Sequence, residues 1–138
     1  NNSNKVAMSL SDKFCVDRHK NQFLNLVKKK LDITFANELE IMSLINARNF
    51  SEVVSFAKKI KKIIVITRGS RGAVSINGDE VKEIGVKKKL KILDLTGAGD
   101  LFAAGYLHGF INNLSVDECL QKGTELSSKI IQQIGARL

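Results

Sequence analysis

Hydrophobic positions along the chain alternate between short apolar, largely β-branched runs and longer stretches with helical spacing. The short runs predict strands at Lys5–Leu10, Ile33–Ala36, Ile63–Thr67, Ala73–Ile76, Glu80–Gly85 and Lys91–Leu95. The longer stretches predict helices at Asp17–Lys30, Glu38–Ile45, Phe50–Ile60, Leu101–Ile111 and Ser115 to about Ile134. This alternation of strands and helices predicts an α/β fold, a layered sheet with flanking helices.

Polar residues mark several of the boundaries between these elements. Asn77-Gly78-Asp79 lies between two predicted strands and is typical of a β-hairpin turn. Ser115 and Glu118 have the spacing of a capping box, which predicts the start of the last helix. Leu101–Ile111 is apolar on nearly all sides, so we expect that helix to be buried.

The length of 138 residues predicts a single domain. With 43% apolar and 26% charged residues the chain is too hydrophobic to be disordered, and no apolar stretch approaches the ~20 residues that span a bilayer. Two widely spaced cysteines favour reduced thiols, so we expect a soluble, cytoplasmic protein with no membrane partner. The chain opens without a leader pattern on what looks like the first strand, so we expect a part of a longer polypeptide.

The formal net charge of +8 raises the question of a nucleic-acid partner. The excess positive charge comes mostly from the lysine clusters 28–30, 58–62 and 87–91. Few aromatic residues lie near these clusters, and the whole chain has no Trp and one Tyr, so a surface of basic residues and base-stacking rings is not built. We therefore expect solvated lysines and no nucleic-acid partner.

The segment Asp94–Asp100 carries the strongest signal for chemistry, because it joins a predicted strand to a predicted helix. Glycines at 97 and 99 let the backbone approach a ligand, and the amides of a helix's first turn can bind an anion. An aspartate is out of place at a site that holds only anions, because its charge repels a phosphate. It fits if it takes a proton from a hydroxyl while the amides stabilise the transferring phosphoryl group. The alternative is structural: the glycines make a tight turn, and Asp100 favours the helix dipole.

Two better-known phosphate loops do not fit this chain. Gly97-Ala98-Gly99 lacks the third glycine of a dinucleotide fingerprint, and the chain contains no G-x-x-x-x-G-K-[ST] loop.

Three motifs, in order along the chain, resemble one family, the ribokinase-like or phosphofructokinase-B carbohydrate kinases, which include the adenosine kinases. Asp94–Gly105 is similar to the family's C-terminal signature, Asn37–Glu40 to its N-x-x-E motif, and Thr67–Gly72 to its T-x-G-x-x-G nucleotide loop. The segments Ser9–His19 and Ile134–Arg137 look most like the adenosine-kinase branch.

The resemblance implies a catalytic group in the C-terminal signature. Asp100 would be the general base on the acceptor hydroxyl, and the amides of Gly97, Ala98 and Gly99 would form an anion hole for the transferring phosphoryl group.

The resemblance also implies a nucleotide and metal site. Thr67, Gly69 and Gly72 would line the ATP cleft, while Asn37 and Glu40 would arrange Mg²⁺ and phosphate, largely through water. Asp94 would help to hold a monovalent cation such as K⁺.

As a whole, the resemblance implies the C-terminal, nucleotide-binding portion of a kinase fold, whose N-terminal substrate and lid portion is absent from residues 1–138. The implied reaction is ATP-dependent phosphoryl transfer to a primary hydroxyl of a sugar or nucleoside, with adenosine or a related ribosyl compound favoured. The alternative is a non-catalytic nucleotide-binding fragment or regulatory module of the same fold. With the other portion absent, we expect the chain alone to be inactive and to form a homo-oligomer through uncovered strand edges.

Overall fold

The computed structural model describes residues 6–10, 18–68, 71–84 and 96–137, and for 96–101 and 127–137 it describes the backbone alone. Within these ranges the strands are β1 Ala7–Ser9, β2 Ile33–Asn37, β3 Ile63–Thr67, β4 Ala73–Asn77 and β5 Glu80–Ile84. The helices are α1 Lys20–Asn25, α2 Glu38–Ile45, α3 Phe50–Ile60, α4 Thr96–Ile111 and α5 Val116–Arg137, with a π-helical turn at Leu26–Lys30 after α1. No helix in these ranges is both long enough and apolar enough to cross a membrane.

The strands form one sheet in the order β1-β2-β3-β4-β5. β1 and β2 run parallel, with Met8 opposite Thr34. β4 and β5 run in opposite directions, because only Gly78 and Asp79 separate them, and Gly78 supplies the left-handed backbone of the turn at φ 61°. The mixed sheet with flanking helices and a hairpin confirms the predicted α/β class.

The chain divides into two compact units. The first comprises Asn1–Ile66 and Ile76–Val81, and the second Thr67–Ser75 and Lys82–Leu138. The largest fully buried aliphatic side chains of the first unit are Leu10, Val27, Ile33, Ile41, Leu44, Ile64, Ile66 and Ile76. In the second unit Phe102, Tyr106 and Leu120 are fully buried. The single domain expected from the chain length stays a prediction.

Helices α4 and α5 of the second unit pack with their backbones in contact. A Cβ atom at Gly105 would lie 2.6 Å from the carbonyl oxygen of Lys122, and one at Gly123 would lie 2.8 Å from that of Phe102. Both distances are too short for any side chain other than hydrogen. The two glycines therefore permit this close pairing.

The helix predicted at Asp17–Lys30 changes its winding halfway. Its first part is α1, but the amide of Leu31 donates to the carbonyl of Leu26, five residues back, at 2.8 Å. Val27 within the π-helical turn and Leu31 directly after it are both buried, so two core positions lie inside at this wider winding.

Helix α4 starts at Thr96, so the prediction of a glycine turn followed by a helix from Leu101 is wrong. Glycine costs a helix about 1 kcal/mol of conformational entropy per residue, a cost that a helix of 16 residues can absorb near its end. The expectation of burial on nearly all sides is also wrong, since Ala104 and His108 are exposed and Ile111 is 75% exposed.

Several predicted boundaries cannot be compared with the structure. The strand at Lys91–Leu95, the first-strand start at Lys5, the helix start at Asp17 and the hairpin end at Gly85 lie outside the described residues.

Candidate functional site

Asn37 and Glu40 form a capping box at the junction of β2 and α2. Asn37 ends the strand in an extended conformation, and its side-chain oxygen accepts a hydrogen bond from the Glu40 amide at 2.7 Å. In return, Glu40 Oε1 accepts from the Asn37 amide at 3.0 Å. Two amides that the helix leaves without partners are thus satisfied, and the carboxylate is held beside the positive end of the helix.

Helix capping alone accounts for the N-x-x-E spacing, because the chain uses the same spacing elsewhere. Asn49 caps α3 and accepts from the Glu52 amide at 3.1 Å, and Ser115 pairs with Glu118 at the start of α5 as predicted. What distinguishes Glu40 is burial. Glu40 is buried, whereas Glu52 is only half-buried and its carboxylate lies 3.5 Å from Arg48.

The chemistry of Glu40 fits a role near Mg²⁺. A carboxylate has about four lone-pair positions, so Oε1 can accept from the Asn37 amide while the group also accepts from metal-bound water. In the described parts of the chain, no three His, Cys, Asp or Glu side chains cluster as metal ligands. Mg²⁺ in proteins keeps several waters and is bound through one or two carboxylates together with substrate phosphates, so one carboxylate suits it.

The predicted nucleotide loop connects β3 to β4 in the second unit. Thr67 ends β3, and the Arg68 amide donates to the carbonyl of Gly72 at 2.7 Å, which closes the loop at its base. Gly72 is buried and has a φ of 93°, a conformation that disfavours any side chain. Gly69, which the sequence also assigned to this loop, lies outside the described residues.

The predicted anion hole and base belong to the first residues of α4. The backbones of Gly97, Ala98, Gly99 and Asp100 are helical. Amides in the first turn of a helix have no helical acceptor and can bind an anion. The roles assigned to these four residues stay predictions, and Asp94 lies outside the described residues.

The structure therefore pairs Asn37 with Glu40 in the first unit and closes the loop between Thr67 and Gly72 in the second. It also pairs two residues of the second unit that the sequence did not single out. Ser75 Oγ lies 3.0 Å from the Tyr106 hydroxyl, and both side chains are buried. One signal was available: each is a hydroxyl in a run that is otherwise mostly apolar.

Cys119 has no features of a nucleophile. Its thiol is buried in α5 and lies 3.8 Å from the carbonyl oxygen of Leu114. Burial raises the pKa of the thiol above its usual value, and the charge of Glu118 raises it further. Both effects disfavour the reactive thiolate.

Comparison with known proteins identifies the family. The model of the pfkB family carbohydrate kinases matches residues 1–138. A cytidine kinase of Thermococcus kodakarensis is 29% identical over 115 residues, which cover 81% of this chain and 41% of the relative.

Two solved structures are similar to the fold described above. A probable sugar kinase from Rhizobium etli superposes with a TM-score of 0.87 at 38% identity, covering 96% of this chain and 40% of that one. The adenosine kinase from Sinorhizobium meliloti gives 0.82 at 35% identity, covering 89% of this chain and 38% of that one. This chain therefore spans about two fifths of the length of these relatives, and it belongs to the pfkB family of carbohydrate kinases.

Proposed function

We propose that the gene product containing this chain is an ATP-dependent kinase that phosphorylates a primary hydroxyl of a sugar or nucleoside. The observation that carries this proposal is the buried carboxylate of Glu40, held by the Asn37 capping box in a chain of the pfkB family. Capping does not require burial, as Glu52 illustrates, and burying a charge is costly. We assign the charge of Glu40 a role toward metal-bound phosphate, a role that Glu52 does not have.

In the proposed reaction the oxygen of the acceptor hydroxyl bonds to the γ-phosphorus of ATP. The bond from that phosphorus to the β,γ-bridging oxygen breaks, and ADP leaves. Asp100 takes the proton of the hydroxyl. The amides of Gly97, Ala98 and Gly99, in the first turn of α4, donate to the oxygens of the transferring group, where negative charge must be stabilised.

The nucleotide side of the proposed site comprises Thr67, Gly69 and Gly72. Because Gly72 has no side chain, the base of the loop, where Arg68 bonds to Gly72, can lie against the nucleotide. Mg²⁺, when bound, neutralises charge on the phosphate oxygens. Asn37 and Glu40 would orient its water ligands, and Asp94 would help to hold K⁺.

Adenosine is the favoured acceptor, or a related ribosyl compound. Solved relatives include an adenosine kinase at 35% identity, and a cytidine kinase shares 29% identity. Both acceptors are ribonucleosides, which carry the same primary hydroxyl on the same ribose.

The test is an acceptor panel with the purified full gene product, ATP and Mg²⁺. Adenosine, cytidine and ribose are offered separately, and the products are identified by mass spectrometry. We expect ADP together with a monophosphate of at least one ribosyl acceptor, adenosine first. If the protein binds ATP but phosphorylates none of them, the proposal fails in favour of a non-catalytic nucleotide-binding module.

A further inference from the structure

A buried hydrogen bond joins strand β4 to helix α4. Ser75 Oγ and the Tyr106 hydroxyl lie 3.0 Å apart, and the two residues are 2% and 1% exposed. A hydroxyl taken out of water is unfavourable unless it is hydrogen-bonded, and this bond supplies each hydroxyl with a partner. Val74 and Ile76, next to Ser75 along the strand, and Phe102, about one turn before Tyr106, are also buried and are apolar, so each hydroxyl belongs to an otherwise apolar stretch.

The position of the bond within the second unit suggests its role. Ser75 follows Gly72 by three residues, which is about 10 Å of strand from the base of the predicted nucleotide loop. Tyr106 follows Asp100 by six residues, which is about 9 Å of helix from the predicted base. The bond is therefore a short link between the segment assigned to the nucleotide and the segment assigned to the acceptor proton.

The rest of α4 is already fixed against α5. Gly105, next to Tyr106, packs on the backbone of Lys122, and Phe102 packs on Gly123. These contacts fix how close α4 lies to α5 but do not bind it to the sheet. The Ser75–Tyr106 bond adds that link, and it is directional where the glycine contacts are not.

We propose that Ser75 and Tyr106 are positioning residues that hold the first turn of α4 in register with the strand leaving the nucleotide loop. The catalytic consequence rests on the proposed function: phosphoryl transfer needs the γ-phosphate and the base aligned, and misplacement by about 1 Å can cost up to about 10²-fold in rate. The link itself is a property of the second unit and does not depend on the reaction.

The experiment compares Tyr106→Phe, Ser75→Ala and their double variant in the full gene product. Each removes one or both hydroxyls while leaving most of the apolar packing in place. Ser115→Ala is the matched control, because it removes the N-cap of α5 and lowers stability without touching β4 or α4. All four are assayed at a temperature at which thermal melts show them fully folded.

For the single variants we expect kcat to fall about tenfold with the KM for ATP changed less than about twofold, since alignment and not binding is lost. The double variant falls no further than the worse single variant, because both lose the same bond. Ser115→Ala keeps kcat within about twofold of wild type. Equal kcat in Tyr106→Phe and Ser115→Ala overturns the positioning role.

Hydrogen exchange separates this inference from the proposed function. In Tyr106→Phe we expect amides of α4 and β4 to exchange about tenfold faster than in Ser115→Ala, while those of α2 and α3 are unchanged. If amides of Tyr106→Phe exchange faster throughout the protein, or in none of its elements, the bond does not hold α4 to β4. An inactive wild-type protein would refute the kinase, and the exchange result would still decide whether the bond holds α4 to β4.

Discussion

Glu40 and Glu52 occupy the same position in two helices, the third residue after an asparagine N-cap. Their environments differ. Glu52 accepts a hydrogen bond from the Arg48 backbone amide at 2.7 Å, and its carboxylate also lies near the exposed Arg48 side chain. Glu40 is almost fully buried. Since the cap is common to both, comparing the two glutamates separates the effect of capping from the effect of a buried charge.

That contrast gives a prediction for Glu40→Gln. Glutamine also serves in a capping box, so we expect the free energy of unfolding to change by less than about 1 kcal/mol. Loss of the charge should raise the Mg²⁺ concentration needed for half-maximal activity by about 10- to 100-fold, as for other residues that orient metal ligands. Glu52→Gln is the control and should leave the Mg²⁺ titration unchanged. Superimposable titrations of the two variants would contradict the assignment.

Among the secondary-structure elements, the boundaries predicted most accurately from the sequence are those marked by a local signal. The predicted bounds of α2, α3 and β3 agree with the structure, because Asn37 and Asn49 cap the helices and β3 is a continuous β-branched run. The start of α4 was missed because glycine has a low helix propensity, which the helix tolerates in its first turn.

Contacts between distant residues were less accessible to sequence analysis than local ones. The Asn37–Glu40 pair spans three residues and has a recognisable pattern. The Ser75–Tyr106 bond joins residues 31 positions apart, and neither neighbourhood indicates the partner. The approach of Gly105 to Lys122 likewise depends on how two helices pair.

The close packing of α4 on α5 predicts that glycine substitutions in α4 lower stability by different amounts. In an exposed helix, Gly→Ala stabilises by about 1 kcal/mol. Gly105→Ala should instead destabilise by about 1–3 kcal/mol, because the new Cβ would meet backbone at 2.6 Å. Gly109→Ala should cost less, since its nearest neighbour is the Cys119 sulfur at 3.0 Å. Urea unfolding measures the order, and a Gly105→Ala protein as stable as wild type would contradict the close packing.

For the whole molecule, the chain's short length relative to its relatives bears on whether it can act alone. The chain covers 38–41% of the relatives compared above, and β1, an outermost strand of the described sheet, is three residues long. An edge strand presents backbone N–H and C=O groups that can pair with a strand of another chain. We therefore predict that the 138-residue chain expressed alone self-associates and transfers no measurable phosphate to adenosine or ribose. Light scattering that shows a stable monomer, or steady turnover in a coupled assay, would contradict this.

If Asp100, near the start of α4, is the base, phosphoryl transfer depends on its carboxylate, and Asp100→Asn in the full gene product removes that group alone. The measurement is single-turnover transfer of labelled γ-phosphate from saturating ATP to the acceptor, with ATP affinity determined in parallel. We predict a rate lower by about 10²- to 10⁴-fold and an ATP affinity close to wild type, because proton transfer is lost and binding is not. Asp79→Asn, which removes a charge from the exposed β4–β5 turn, should transfer at the wild-type rate. A near-normal rate in Asp100→Asn would show that another group takes the proton and would contradict the account.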